Sequence, residues 1–366
     1  MGTITIGIDL AKQVFSTCTM DANGRVLQRR ELGRTVLAGW LAQLPAGTVV
    51  AMEACSGAHH WARCCQSFGL APKLMAAQFV TPFRKQRAAK NDRNDAEAIA
   101  TAARQGNMRF VPVKTVEQQA RLSWHRVREG YKVEALAIGN RLRGLLAEFG
   151  VVVARGDAAL RRVLADTQVR ARLPVMLLDA LEALEAHWQQ LHQRLAQCDT
   201  HIQAHARADV RRVRAQQMLG IGPLTADALV ASIGDGHEFA NGRQLSSWIG
   251  LVPVQRSSGG RQRLGAISCD GDAYLRTLLM LGARSSLQRA KAVAPEHANA
   301  EQLWIRSLAA RMPFGKVLAA IANKHARQLW AMLARGEDYD PEAWLHHPMA
   351  QRPASRKRRL DAVATG

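Results

Sequence analysis

Short apolar runs of strand length fill the first hundred positions, and apolar residues at helical spacing dominate the remainder. Thr3 to Leu10 (TITIGIDL) predicts a buried strand that ends in an acid, Asp9. Val14 to Met20 predicts a second strand, Asp21 to Gly24 (DANG) a turn, and Arg25 to Leu32 a third strand, together an antiparallel meander. A short helix is expected over Leu37 to Leu44. Thr48 to Met52 (TVVAM) then forms a fourth strand that runs straight into Glu53. Gly57 to Phe68 predicts a helix, Pro72 to Ala76 a fifth strand, and Pro82 to Arg104 a basic helical region.

From Glu117 to about Arg214 strand signals all but vanish. Leu136, Asn140, Leu142 and Leu146 fit one helical face, and Leu177, Leu181, Leu184, Trp188, Leu191 and Leu195 recur at three or four. The second run suits a coiled coil between chains or helix packing within one chain. His187, His192, His201 and His205 lack the spacing of a ligand set and are expected on helix surfaces. Met218 to Asp235 (MLGIGPLTADALVASIGD) predicts a tight helical hairpin, with Gly220 and Gly222 at the turn and Pro223 opening the second helix. Such a helix-hairpin-helix element grips phosphate through backbone N–H groups, though the same pattern also makes a plain helical hairpin. The string SSGG, flanked by Arg256, Arg261 and Arg263, predicts a cationic loop with an exposed hydroxyl, or simply a turn.

Charge narrows the partners. Fifty Lys and Arg against 30 Asp and Glu give a net charge of +20, which points to a polyanion, most simply nucleic acid. With only 5% aromatic residues, phosphate contacts are expected to outweigh base stacking. No run reaches membrane-span length and no secretory pattern is evident, so the cytoplasm, beside the nucleoid, is the expected location. Six cysteines without a C-x-x-C pair fit neither a disulfide framework nor a zinc site, and Cys18 and Cys55 are expected to be small buried residues. RPASRKRR, at Arg352 to Arg359, predicts a basic disordered arm that adds salt-sensitive affinity.

Against this basic background, Lys90 to Glu97 (KNDRNDAE) concentrates three carboxylates. Asp92 and Asp95 share a helix face and would repel unless a cation lay between them; Mg²⁺ favours such oxygen ligands. The same D-x-x-D also suits an acidic helix start favoured by the helix dipole. The other acids decide between these readings. Three strands, a helix, a strand, a helix and a strand is the order of the ribonuclease H-like fold, which sets the ends of the first and fourth strands side by side with a later helix above them. Asp9, Glu53, Asp92 and Asp95 then converge on a metal site.

GIDLAK, MEACSGAHHW and KNDRNDAEAIA resemble the DEDD transposases of bacterial insertion sequences, the group that includes the Piv-type DNA invertases. The resemblance runs from about Thr5 to about Leu287. It implies an α/β plus all-α chain: a RuvC-like metal domain (1–115), a helical or coiled-coil spacer (116–214) that includes the family segment GNRLRGLLAEFG, a serine transposase domain (215–338) and a tail (339–366). It further implies Ser258, directly before glycine, as nucleophile on DNA phosphate, with Ser257 as the alternative. Arg256, Arg261 and Arg263, with Gly220 and Gly222, are the candidate nucleic-acid contacts. Cys269 and Asp270 depart from the family, which often carries basic residues there. Donor and target DNA, an element-encoded guide RNA and a homo-oligomer of two or four chains are the implied partners, and Mg²⁺ the implied cofactor. A junction-cleaving nuclease that uses the same acids with water as nucleophile remains an alternative, and a purely architectural binder a further one.

Overall fold

The computed structural model describes residues 4–84, 92–207, 209–256 and 263–342, without the side chains of residues 92, 205 and 206. They fall into two compact units, Met1–Glu117 and Gln118–Gly366. The expected basic arm at Arg352 to Arg359 lies outside the described residues.

In the first unit the elements are β1 (Thr5–Asp9), β2 (Val14–Met20), β3 (Val26–Gly33), α1 (Arg34–Leu41), β4 (Val49–Glu53), α2 (Ala58–Ser67), β5 (Ala71–Met75), α3 (Ala77–Val80) and α4 (Asp92–Ala103). The sheet runs β3-β2-β1-β4-β5. The β1–β2 and β2–β3 pairs are antiparallel, and β1–β4 and β4–β5 are parallel. Strand alternation divides the apolar residues between two faces. Ile6, Ile8, Val50 and Met52 pack with Leu37, Leu41, Trp61 and Ala62 from α1 and α2. On the other face, Ala51 and Met75 meet Ile99 and Ala102 of α4, while Cys18 and Met20 meet Ala96 and Ala100.

Two expectations change here. Pro82 to Arg104 is not one helix: a single 3₁₀ turn (Thr81–Phe83) is followed by extended backbone at Arg84 (φ −70°, ψ 129°), and α4 begins at Asp92. Its extended backbone lets Arg84 reach two acids, a tertiary contact that overrides local helix preference. Cys18 is buried as expected, but Cys55 is exposed, because it follows β4 in the loop before α2.

The second unit contains α5 (Val116–Glu148), α6 (Asp157–Leu164), α7 (Thr167–Arg170), α8 (Val175–Ala206), α9 (Val210–Ala215), α10 (Pro223–Ile233), α11 (Gly242–Trp248), β6 (Pro253–Gln255), β7 (Leu264–Ile267), α12 (Ala273–Ala292), α13 (Ala300–Arg311) and α14 (Phe314–Ala334). The two longest helices, α5 and α8, pack antiparallel. Trp124 stacks on His201 at 4.4 Å, Arg128 Nε donates to Asp199 Oδ1 at 2.6 Å, and the Arg194 guanidinium lies 5.6 Å from the Tyr131 ring. The apolar seam of α8 therefore has a partner within the chain: Leu177, Leu181, Trp188 and Leu191 pack with Ala135, Ile138, Leu142 and Leu146. Leu136 and Asn140, expected on that face, point to solvent. Gly139 takes the position instead, where a Cβ would stand 3.4 Å from Trp188 Nε1. The indole fills the space that a leucine would have claimed.

Buried charge fastens α5 to the terminal helices. Arg121 pairs with Asp209 at 2.8 Å and with Asp227, whose other oxygen lies 2.9 Å from His125 Nε2. His125 Nδ1 is 2.9 Å from the Tyr274 hydroxyl. Burial alone would raise the Asp227 carboxyl; the hydrogen bonds from His125 and Arg121 outweigh it and hold the group below its ordinary value.

Candidate active site

Parallel pairing aligns Ile8 with Met52, so the next residues, Asp9 and Glu53, end neighbouring strands side by side. They share the sheet face of Gly7 and Ala51, two positions earlier. That is the face covered by α4, and Gly7 explains how closely it is covered. A Cβ at residue 7 would lie 2.2 Å from the Ala96 carbonyl oxygen and 2.5 Å from the Ala100 nitrogen. With α4 seated backbone to backbone on β1, Asp95, one residue before Ala96, is held near the strand ends, with only 8% of its side chain exposed.

Arg84 links the acids. Its Nη2 donates to Glu53 Oε1 at 3.1 Å, and its Nε lies 3.0 Å from Asp95 Oδ1, an ion pair not aligned as a hydrogen bond. The Cys55 thiol senses the same charge. It is pushed above its ordinary value, first by partial desolvation and then by the negative charges of Glu53 and Asp9. The third carboxylate of the KNDRNDAE stretch, Glu97, faces elsewhere: it accepts from Arg29 at 2.6 Å, and Arg93 pairs with Glu31 at 2.8 Å, both tying α4 to β3.

The structure thus brings Asp9, Glu53 and Asp95 to one end of the sheet. Asp92 opens α4 three residues before Asp95, and its side chain lies outside the described residues. Among the described residues, no three acidic, histidine or cysteine groups stand close enough to enclose a metal ion. The donor set is nonetheless all carboxylate, which suits a hard divalent cation rather than zinc. Arg84 was legible in the sequence only as one cation of a basic run, and Gly7 only as a small residue inside a strand.

In the second unit, β6 and β7 form an antiparallel ribbon that the sequence did not announce, since three and four residues are too few for a period to register. The Arg256 N–H donates to the Arg263 carbonyl at 2.9 Å. Ser257, Ser258 and Arg261 lie in the connection between the two strands, outside the described residues. Gly220 has φ +85°, and a Cβ there would meet Ser286 Oγ at 2.3 Å and the Gly282 oxygen at 2.4 Å. Its lack of a side chain serves close approach to α12. Gly222, the N-cap of α10, faces open space.

Comparison with known proteins agrees with this arrangement of an acid-tipped sheet followed by a helical region. A family model described as Transposase IS116/IS110/IS902 family matches residues 213–299, and the DEDD model, described as Transposase, matches residues 6–150. The chain is 44% identical over 339 residues to the probable family 20 transposase of Pseudomonas aeruginosa, covering 92% of this chain and 98% of that protein. It is 39% identical over 338 residues to the transposase for insertion sequence element IS1111A of Coxiella burnetii, covering 91% and 90%. The transposase for insertion sequence element IS1328 of Yersinia enterocolitica is 36% identical over 331 residues, covering 90% and 97%. The chain belongs to the IS110/IS116/IS902 family of insertion-sequence transposases. Members of this class process DNA, and the DEDD set implies use of a divalent metal. No helix among the described residues is long and apolar enough to cross a membrane.

Proposed function

We propose that this transposase cleaves and rejoins DNA with a carboxylate metal site in a ribonuclease H-like, RuvC-type first domain and with Ser258 as nucleophile. The observation that carries the reading is the placement of Asp9 and Glu53 at the ends of adjacent parallel strands, with Asp95 joined to Glu53 through Arg84. Asp9, Glu53, Asp92 and Asp95 would hold the ion, for which Mg²⁺ is the fitting choice. Bound there, it supplies charge stabilisation at the phosphate undergoing attack.

The protein's own groups carry the rest. Ser258 Oγ forms a bond to phosphorus and one deoxyribose oxygen leaves, taking a proton; a DNA hydroxyl later attacks the phosphoserine and releases the serine, so the phosphodiester is conserved. Arg256, Arg261 and Arg263, between β6 and β7 in the sequence, contribute phosphate contacts, and the start of α10 at Gly222 a further one. Residues 116–214 act as a spacer towards the serine domain at 215–338, within a dimer or tetramer guided by an RNA encoded with the element.

The test is a denaturing gel of labelled donor DNA incubated with the full chain, Mg²⁺ and RNA transcribed from the element. A protein–DNA adduct that survives detergent and disappears with protease is expected, and Ser258→Ala should abolish it while Ser257→Ala is milder. Normal cleavage by Ser258→Ala with no wild-type adduct would instead establish water as the nucleophile. Asp9→Asn and Glu53→Gln should each abolish cleavage while leaving most nucleic-acid affinity intact.

A further inference from the structure

A second cationic feature lies along α14. The start of α11, the outer face of α14 and Trp304 of α13 enclose an open cleft of about 720 Å³. Arg243, Lys324, Arg327 and Arg335 line it with Trp304 and Trp330, and among the described residues no acidic side chain belongs to the lining. Arg243 and Arg327 are exposed and make no ion pair with any described residue. Their proximity has a structural cause. Gly242 packs directly on α14, where a Cβ would stand 2.7 Å from the Arg327 carbonyl oxygen. The chain thus brings α11 within backbone contact of α14 and leaves two like charges facing one opening.

The other lining cations differ in role. Lys324 Nζ sits 3.4 Å from buried Glu301 and 4.3 Å from the Trp304 ring centroid, and Arg335 pairs with Glu337 while lying 5.3 Å from the Trp330 ring. Trp330 Nε1 donates to the carbonyls of Gly236 and Phe239, so this ring is a fixed wall. Partial desolvation, and after it the charge of Arg243, push the Arg327 guanidinium below its ordinary value, so the two like charges repel in the free chain. An anion between them relieves that repulsion.

We propose that this cleft is a single-strand nucleic-acid site, in which Arg243 and Arg327 clamp a backbone phosphate and the adjoining base enters against the aromatic wall. An aromatic wall beside cations is the arrangement that holds unpaired strands, because every base has a π-face whereas a duplex keeps its bases stacked inside. The site goes beyond the reading of the acids and Ser258 and does not depend on it.

The experiment measures binding of the full chain to fluorescein-labelled 12-nucleotide single strands, as DNA and as RNA, and to the DNA duplex, by anisotropy across a salt series. Arg243→Glu with Arg327→Glu should weaken single-strand binding at least tenfold and lower the salt slope by about 2, with a much smaller loss for duplex. A matched reversal on exposed positions of α12, Arg289→Glu with Lys291→Glu, should have the smaller effect of changed net charge. Wild type should bind an abasic strand about tenfold more weakly than a normal one, as expected when a base is stacked. Whichever of the DNA and RNA strands binds more tightly identifies the source of the occupant. Equal losses in the two double variants, an equal loss for duplex, or no abasic penalty would overturn the site. Circular dichroism confirms that each variant is folded, and the adduct assay on the same proteins reports separately on the serine chemistry.

Discussion

Gly7 of β1 lies so close beneath Ala96 of α4 that any Cβ at position 7 would penetrate the Ala96 carbonyl oxygen, at 2.2 Å. The contact is between backbones, so no rotamer change relieves it. The height of α4 above the sheet, and with it the place of Asp95 relative to Asp9, rests on that missing methyl group.

Gly7→Ala is therefore expected to destabilise the first unit by about 1–3 kcal/mol, the usual cost of overpacking, and to reduce cleavage more than its stability loss explains. Gly39→Ala provides the contrast, since residue 39 lies within α1 with nothing within 4 Å of its added Cβ. That change should stabilise by about 0.5–1 kcal/mol. Urea unfolding of both variants checks the pair; equal effects would contradict the packing account.

Arg84 supplies the positive charge between Glu53 and Asp95. Its replacement by Ala leaves two carboxylates facing each other, so the variant should melt at a lower temperature than wild type in EDTA and gain more from added Mg²⁺ or Mn²⁺. Thermal melts with and without the ion decide this. A metal-induced shift no larger than that of wild type would mean that Arg84 and the cation do not answer the same charge.

His325 is fully buried; burial pushes its imidazole down to about 4, with Glu301 opposing and Lys324 assisting the change. The unfolded chain protonates this group near 6.5, so between about pH 6.5 and 4 the unfolded state binds the extra proton. The stabilising contribution is complete above that window and is lost on acidification through it, about 3 kcal/mol in all. His325→Leu should flatten the melting temperature between pH 7 and pH 4.5. An unchanged pH slope in the variant would assign the acid sensitivity to other groups.

Phosphate contacts predict salt sensitivity. Affinity for non-specific DNA or RNA should fall by orders of magnitude between about 50 and 200 mM salt, as expected from a net charge of +20. Filter binding or anisotropy across that range is the measurement, and a flat profile would contradict an electrostatic mode.

Periodicity, joined by the DANG turn, determined the order of the five strands in the first unit: β1, β2, β4 and β5 bury apolar residues, while the exposed β3 is marked by the turn before it. It also marked the acids at Asp9 and Glu53, since a carboxylate directly after a buried run has no packing reason to be there. The ribbon of Pro253–Gln255 and Leu264–Ile267 escaped notice: it is short and largely exposed, so no apolar alternation marks it. Sequence spacing placed Leu136 on the buried face of α5, yet the indole of Trp188 from a helix some fifty residues later selected Gly139 instead. Which cation answers Glu53 and Asp95, and which glycine lets α4 descend onto β1, were likewise settled only when distant segments met. Burial patterns are local properties of a strand or helix and are written along the chain; ion pairs and close backbone approaches depend on the relative placement of elements, which the tertiary fold alone decides.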